Sequence, residues 1–270
     1  MKNFLCLTTI PTRLEYLPIF LGSIKKQTVQ PDKIILFVPK KYNKRKFEDI
    51  DIKKIPKEFC IERCIDYGPA TKILPGIEKF KGQDIRLIFC DDDRIYSSNW
   101  LERLIDFSNK HPNSCIADEV TSVDALLHLW RYGFTKKGFS YRIKRFFSLG
   151  IWKPKNFNNV QPNIIHGFGG VVVKPFFFKN DTFDIPELAW PNDDIWLSAH
   201  LKKNGIEIIY TYRSKNEKSL QIAKKGDSIY IDDELVNSII DGKNKLEVNY
   251  QIFKYCIEKL KVWENYKKYL

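Results

Sequence analysis

The chain has 270 residues, of which 43% are hydrophobic and 29% charged, and it carries a net charge of +12. That length buries a substantial core as one large domain or two small ones, and the balance excludes a disordered chain. No apolar run approaches the roughly 20 residues that span a bilayer, and "MKNFLCLTTIPTR" lacks the length and cleavage site of a signal peptide, so a cytoplasmic protein is expected, with peripheral contact at the inner face of a membrane left open.

"NFLCLTTI" reads as a short apolar strand. "PTRLEYLPIFLGSIKKQTVQP" follows as a helix, with Leu14, Leu17, Phe20, Leu21 and Ile24 at helical spacing and Pro18 confined to its first turn. "DKIILFVP" is a second buried strand and "EFCIERCID" a third, ahead of the turn "YGPATK". "ATKILPGIEKF" offers a short helix broken near Pro75 and Gly76. "DIRLIFCDDD" is a further strand, and "SSNWLERLIDFSNKHP" a helix capped by Ser97 or Ser98. This alternation argues for a mostly parallel α/β sheet, in which ligands sit beyond the carboxyl ends of the strands. Thr8 to Arg13, Asp66 to Lys72 and Asp91 to Asp93 all follow strands and are expected to meet at one edge.

A basic-aromatic excursion then interrupts the pattern. From Ala125 to Asn180 there is no Asp or Glu, while ten Lys and Arg side chains are interleaved with Trp130, Tyr132, Phe134, Phe139, Tyr141, Phe146, Phe147 and Trp152. The mixture suits an anionic partner with an apolar component, such as a membrane surface, a lipid-linked phosphate or a nucleic acid. A basic helical excursion packed on its own domain would read the same way. "IIHGFGGVVVKPFFF" resumes with a Gly-rich turn entering a strand. "WPNDDIWLSAHLKKNG" is a loop entering a helix, with Asn192 or Asp193 as cap and Gly205 as stop, and "IEIIYTY" is another strand. Ile252, Cys256, Leu260 and Trp263 mark one face of a C-terminal amphipathic helix. The six cysteines, at positions 6, 60, 64, 90, 115 and 256, have no zinc-site spacing and read as buried free thiols.

Two acidic clusters carry the chemistry. Along an extended strand end Asp91 and Asp93 point to one side and Asp92 to the other. Two such carboxylates can hold Mg²⁺ or Mn²⁺ together with phosphate oxygens, although acidic residues also end strands in plain turns. Asp193 and Asp194 stand at a helix mouth, where the dipole stabilises negative charge and simple capping would suffice. Trp190, Pro191 and Trp196 around them suggest a shaped pocket, in which a carboxylate could take a proton from a hydroxyl nucleophile.

The order "TTIPTR", "DYGPATK", "FCDDD", "GFGG", "NDDIWL" resembles the metal-dependent GT-A-fold glycosyltransferases of the family-2-like type found in bacterial polysaccharide synthesis, over residues 3–212. "FCDDD" is similar to the family's DXD motif, and "NDDIWL" to the motif that opens its acceptor-side helix. The resemblance implies an α/β GT-A fold, Rossmann-like, with a mixed, mostly parallel sheet flanked by helices. It implies a transferase domain over 1–215, made of a nucleotide-binding half (1–120), a basic-aromatic insertion (121–160) and an acceptor half (161–215), then a helical extension over 216–270. Asp93 would coordinate a divalent metal, Mn²⁺ or Mg²⁺, with Asp91 beside it or reaching the ribose, and Asp92 would meet the nucleotide or donor sugar. Thr9, Pro11 and Arg13 would cradle the nucleotide, Asp66 would meet base or ribose, and Lys72 a phosphate. Gly169 and Gly170 would let the backbone approach the sugar closely, with His166 and Trp190 beside the sugar or acceptor, though a tight turn and a structural His read equally well. Asp194 would be the general base, with Asp193 as fallback.

The donor implied is a nucleotide-diphosphate sugar, UDP-linked by preference, and the acceptor a hydroxyl on a glycan or lipid-linked molecule, with inversion at the anomeric carbon. One departure stands out: the histidines at 111, 128, 166 and 200 all lie too early to supply the late metal-ligating His of some members. A nucleotidyltransferase acting on sugar phosphates would show a Gly-rich loop after its first strand, and "TTIPTRLEY" has no Gly. A nucleic-acid-binding protein built on the basic window leaves both acidic clusters unexplained. No nucleic acid is therefore expected as partner.

Overall fold

A computed structural model describes residues 1–43, 47–132, 163–212, 219–222 and 245–269. Most of the basic-aromatic window, residues 133–162, and part of the C-terminal extension lie outside the described residues. Among the described residues no helix is long and apolar enough to cross a membrane.

The centre is a seven-stranded sheet. It is built from β1 (Asn3–Thr8), β2 (Lys33–Pro39), β3 (Phe59–Cys64), β4 (Arg86–Phe89), β6 (Cys115–Ala117), β9 (Val171–Val173) and β10 (Ile208–Tyr210), in the order β10-β6-β9-β4-β1-β2-β3. β1, β2, β3 and β4 are parallel, with Leu5 opposite both Ile34 and Ile88. β10 is parallel to β6, while β9 runs antiparallel to β4 and β6. This is the mixed, mostly parallel sheet expected. Near-continuous apolar runs such as "FLCL" and "IILFV" form these strands because both faces are covered.

Alternate residues serve alternate faces. Leu5, Leu7, Leu36, Val38 and Ile88 pack against α1 (Leu17–Lys25) and α3 (Trp100–Lys110). Cys6, Ile35, Phe37, Leu87 and Phe89 face α2 (Leu74–Lys79) and part of α5 (Asp193–Lys203). Burial of each such side chain contributes about 1.5–3 kcal/mol. Among the described residues the remaining α-helices are α4 (Val123–Tyr132) and α6 (Lys245–Tyr255), and β5 (Arg94–Ile95) pairs with β11 (Leu220–Gln221) outside the central sheet. Ile252 and Phe253 of α6 close over Ile195, Trp196 and Ala199, so α5 is covered on both sides.

Several local expectations change. Pro75 begins α2 instead of breaking it, where its missing N–H is harmless. Asn99, not Ser97 or Ser98, precedes α3, and the Ser97 hydroxyl bonds Asn99 Oδ1 at 3.1 Å. Cys60 is exposed and Cys64 half-buried, whereas the other four thiols are buried as expected. The C-terminal helix starts earlier, at Lys245, then passes through a wider turn over Cys256–Leu260 and stops at Lys261, φ 57°. A continuous helix would hold residues ten apart about 15 Å from each other along its axis. The break instead folds Trp263 back onto Phe253, their ring centres 5.3 Å apart.

Candidate active site

Parallel strands deliver their following loops to one edge, and β1, β3 and β4 do so here. A cavity of about 370 Å³ at that edge is lined by Thr8 to Ile10, Arg13, Asp66, Lys72, Asp91 to Arg94 and Trp190 to Asp194. The size suits a small-molecule ligand. The expected convergence of the three strand-end segments is therefore observed, and the mouth of α5 closes the cavity opposite them.

The triplet does not continue the strand. β4 ends at Phe89 and the chain turns at Asp92 and Asp93, so strict alternation is lost. Asp91 is one-third exposed and reaches Lys72 Nζ at 2.9 Å. Asp92 and Asp93 instead share Arg13, at 3.2 and 3.4 Å. The same-side placement of Asp91 and Asp93 read from strand geometry is thus replaced by two flanks, one facing Lys72 and one facing Arg13. Asp92 is also bound by the Thr9 hydroxyl at 2.5 Å, which turns its carboxylate into the loop after β1. Burial raises the pKa of Asp92 despite Arg13. Asp93 is pushed up to about 6 by burial and by the charges of Asp91 and Asp92, against Arg13 and Arg94.

Lys72 joins the two acidic clusters. Its Nζ is 2.9 Å from Asp91 Oδ1 and 3.1 Å from Asp193 Oδ2. Burial alone would lower its pKa, but Asp193, Asp91 and Asp194 hold it well above the usual lysine value. Gly167 makes room for it: a Cβ there would lie 2.6 Å from Lys72 Nζ. The lysine therefore stays charged while almost fully buried.

Asp193 and Asp194 are neighbours in different surroundings. Asn192 caps α5 by accepting the Asp194 N–H at 3.1 Å, as one of the two expected caps. Asp193 is buried against Lys72, and burial lifts its pKa to about 6. Asp194 keeps a fifth of its side chain exposed. Gly167 N–H donates to its Oδ1 at 2.9 Å, and His166 Nδ1 lies 3.0 Å from its Oδ2. Burial would raise the Asp194 pKa, but His166, Lys72 and the Gly167 N–H outweigh it and hold the carboxyl below its ordinary value.

The remaining expected residues divide. Thr9, Arg13, Asp66 and Trp190 line the cavity, but both Asp66 oxygens already accept backbone N–H groups, from Asn43 at 2.7 Å and Gly68 at 2.8 Å. Trp190 lies flat against Gly68, where a Cβ would approach the indole to 2.7 Å. Pro11, His166, Gly169 and Gly170 do not line the cavity. The close approach that the two glycines serve is internal: Gly169 abuts Glu119, and Gly170, at φ +98°, abuts the Trp100 ring. Tyr42, Phe47, Arg94 and Phe168 line the cavity unanticipated, with the Arg94 guanidinium 4.6 Å over the Phe168 ring. The adjacency of Arg94 to the triplet was a visible signal; Tyr42 and Phe47 sit in a loop without pattern.

Among the described residues no three His, Cys, Asp or Glu side chains form a metal cluster. Asp93 Oδ1 is nevertheless buried without a hydrogen-bond partner, Arg94 Nε lying 3.7 Å away. A hard cation that takes one or two carboxylates and completes its shell with phosphate oxygens fits that orphaned oxygen.

A mostly parallel α/β sheet with an acidic, Lys-bridged cavity at its carboxyl edge places a ligand site where open α/β folds bind small molecules. Residues 9–171 match the family model "Glycosyl transferase family 2", and the chain belongs to that family of glycosyltransferases. No curated protein matches the sequence significantly. Among solved structures, the chain is similar to S. aureus TarS 1-349, at 13% identity and a TM-score of 0.44, over 79% of this chain and 59% of that one. It is also similar to S. aureus TarS, at 12% identity and a TM-score of 0.48, over 98% and 45%. The chain thus spans less than two-thirds of either.

Proposed function

We propose that the protein is a metal-dependent, inverting glycosyltransferase that moves a sugar from a nucleotide-diphosphate donor, UDP-linked by preference, to a hydroxyl of a glycan or lipid-linked acceptor in bacterial surface polysaccharide synthesis. The observation that carries this reading is one cavity uniting the Asp91–Asp93 turn, Lys72 and the mouth of α5. Asp193 is engaged by Lys72, whereas Asp194 is partly exposed and held in its ionised form, so Asp194 is the carboxylate open to accept a proton. The acceptor hydroxyl gives its proton to Asp194 while its oxygen forms the new bond at the anomeric carbon, and the bond to the departing diphosphate breaks on the opposite face. Lys72 and Arg13 offer positive charge to that diphosphate, Lys72 by exchanging one carboxylate for a phosphate oxygen. Asp93, with Asp91 on the other flank, would hold the divalent metal, which when bound neutralises further diphosphate charge. The basic-aromatic window would meet the anionic acceptor or membrane surface.

A thermal-shift screen of nucleoside diphosphates and nucleotide sugars, with and without Mn²⁺, tests this. One nucleotide is expected to raise the unfolding midpoint only with metal present. Indifference to every nucleotide would overturn the proposal.

A further inference from the structure

The two-stranded ribbon of β7 (Val120–Thr121) and β8 (Ile164–Ile165) stands beside the mouth of α5, with Thr121 paired to Ile164. Ser198 fixes their relative position: its hydroxyl accepts the Ile165 N–H at 3.0 Å and donates to the Asp194 carbonyl at 2.6 Å. His166, the next residue after β8, therefore projects at a set distance from Asp194. Its ring stacks on Phe168, with centres 5.6 Å apart and planes 23° from parallel. Nδ1 lies 3.0 Å from Asp194 Oδ2, and Nε2 lies 2.6 Å from the Thr121 hydroxyl.

These contacts select one tautomer. An ionised carboxylate can only accept, so Nδ1 must carry a proton. In the neutral ring Nε2 is then bare and accepts from the Thr121 hydroxyl, which can donate. Gly167 N–H holds the other carboxylate oxygen, so both Asp194 oxygens are tied from the protein side. Each oxygen has two lone pairs, which leaves acceptor capacity toward the cavity.

We propose that Thr121 and His166 are positioning residues, Thr121 fixing the proton of His166 on Nδ1 and His166 orienting Asp194 as proton acceptor. The inference rests on the reading of Asp194 as base. Facing this carboxylate are His166 from the end of β8, Lys72 from the turn before α2, and Asp193 on its own helix. Removing the His166 bond lifts the Asp194 pKa. The rate falls as pH drops through that pKa, so the acid limb of the rate profile moves to higher pH.

The test measures UDP release from UDP-glucose, UDP-galactose and UDP-N-acetylglucosamine across pH. His166→Ala is expected to lower kcat roughly tenfold to a hundredfold, to leave donor KM within about twofold, and to shift the acid limb upward. His166→Asn, which can still donate from near the Nδ1 position, recovers most of the rate. Imidazole ¹⁵N resonances of the wild-type protein provide a readout independent of turnover and of variant folding. A proton on His166 Nδ1 is expected, with Thr121→Val weakening that preference. A neutral ring protonated on Nε2 overturns the proposal, as does a His166→Ala enzyme with wild-type kcat and acid limb. Asp194→Asn separates the two readings. Normal turnover in that variant removes the base and the positioning together; lost turnover beside an unaffected His166→Ala enzyme removes only the positioning.

Discussion

The turn at Asp91–Asp93 and the mouth of α5 are both acidic and face one cavity, yet they are neutralised in different ways. The turn has side-chain cations on two flanks, Lys72 and Arg13, and leaves Asp93 Oδ1 without a hydrogen bond, as the helix mouth leaves Asp193 Oδ2. The helix mouth partitions its pair, giving Lys72 to Asp193 and a backbone N–H with His166 to Asp194. Like charges placed together are thus separated by environment, which under the proposed function sets which carboxylate binds and which exchanges a proton. The turn suits cation and phosphate. The helix mouth suits a proton.

The sharpest way to break this division is Asp194→Asn. Turnover is expected to fall by about 10²–10⁴ with nucleotide binding intact, read as UDP release beside a thermal shift. Lys72→Met attacks the link between the clusters. Removing one partner of a buried ionic group costs about 3–5 kcal/mol, so a clear drop in the urea midpoint is expected, together with weaker nucleotide binding. A variant as stable as the parent would show that the bridge contributes nothing. Gly170→Ala probes the packing of the Gly-rich turn on α3. The added Cβ meets Trp100 at positive φ, and about 1–3 kcal/mol of strain is expected from the denaturation curve, with metal-dependent nucleotide binding retained.

Much of this was legible from the residues. The apolar runs of β1, β2 and β4 placed the strand ends, and parallel topology then brought Thr9, Asp66, Lys72 and Asp91 to one edge. "NDDIWL" located the helix mouth and its Asn192 cap. Other features lay below the reach of pattern. β6 and β7 are two or three residues long, too short to show a period, and the antiparallel direction of β9 leaves no local mark. Strand alternation set Asp92 on the side opposite Asp91 and Asp93, and it failed because the chain turns there. The Lys72 bridge and the His166–Asp194 pair join residues far apart in sequence, so only the folded chain displays them. The wider turn after α6 answers to Phe253 and Trp263, a tertiary contact that overrides the helical period.

The most direct test of the division of labour is calorimetric titration of UDP, with and without Mn²⁺, into Asp93→Asn and Asp194→Asn proteins. The account predicts that Asp93→Asn loses the metal-dependent part of UDP binding while Asp194→Asn keeps it. Equal loss in both variants, or full retention in Asp93→Asn, would contradict it.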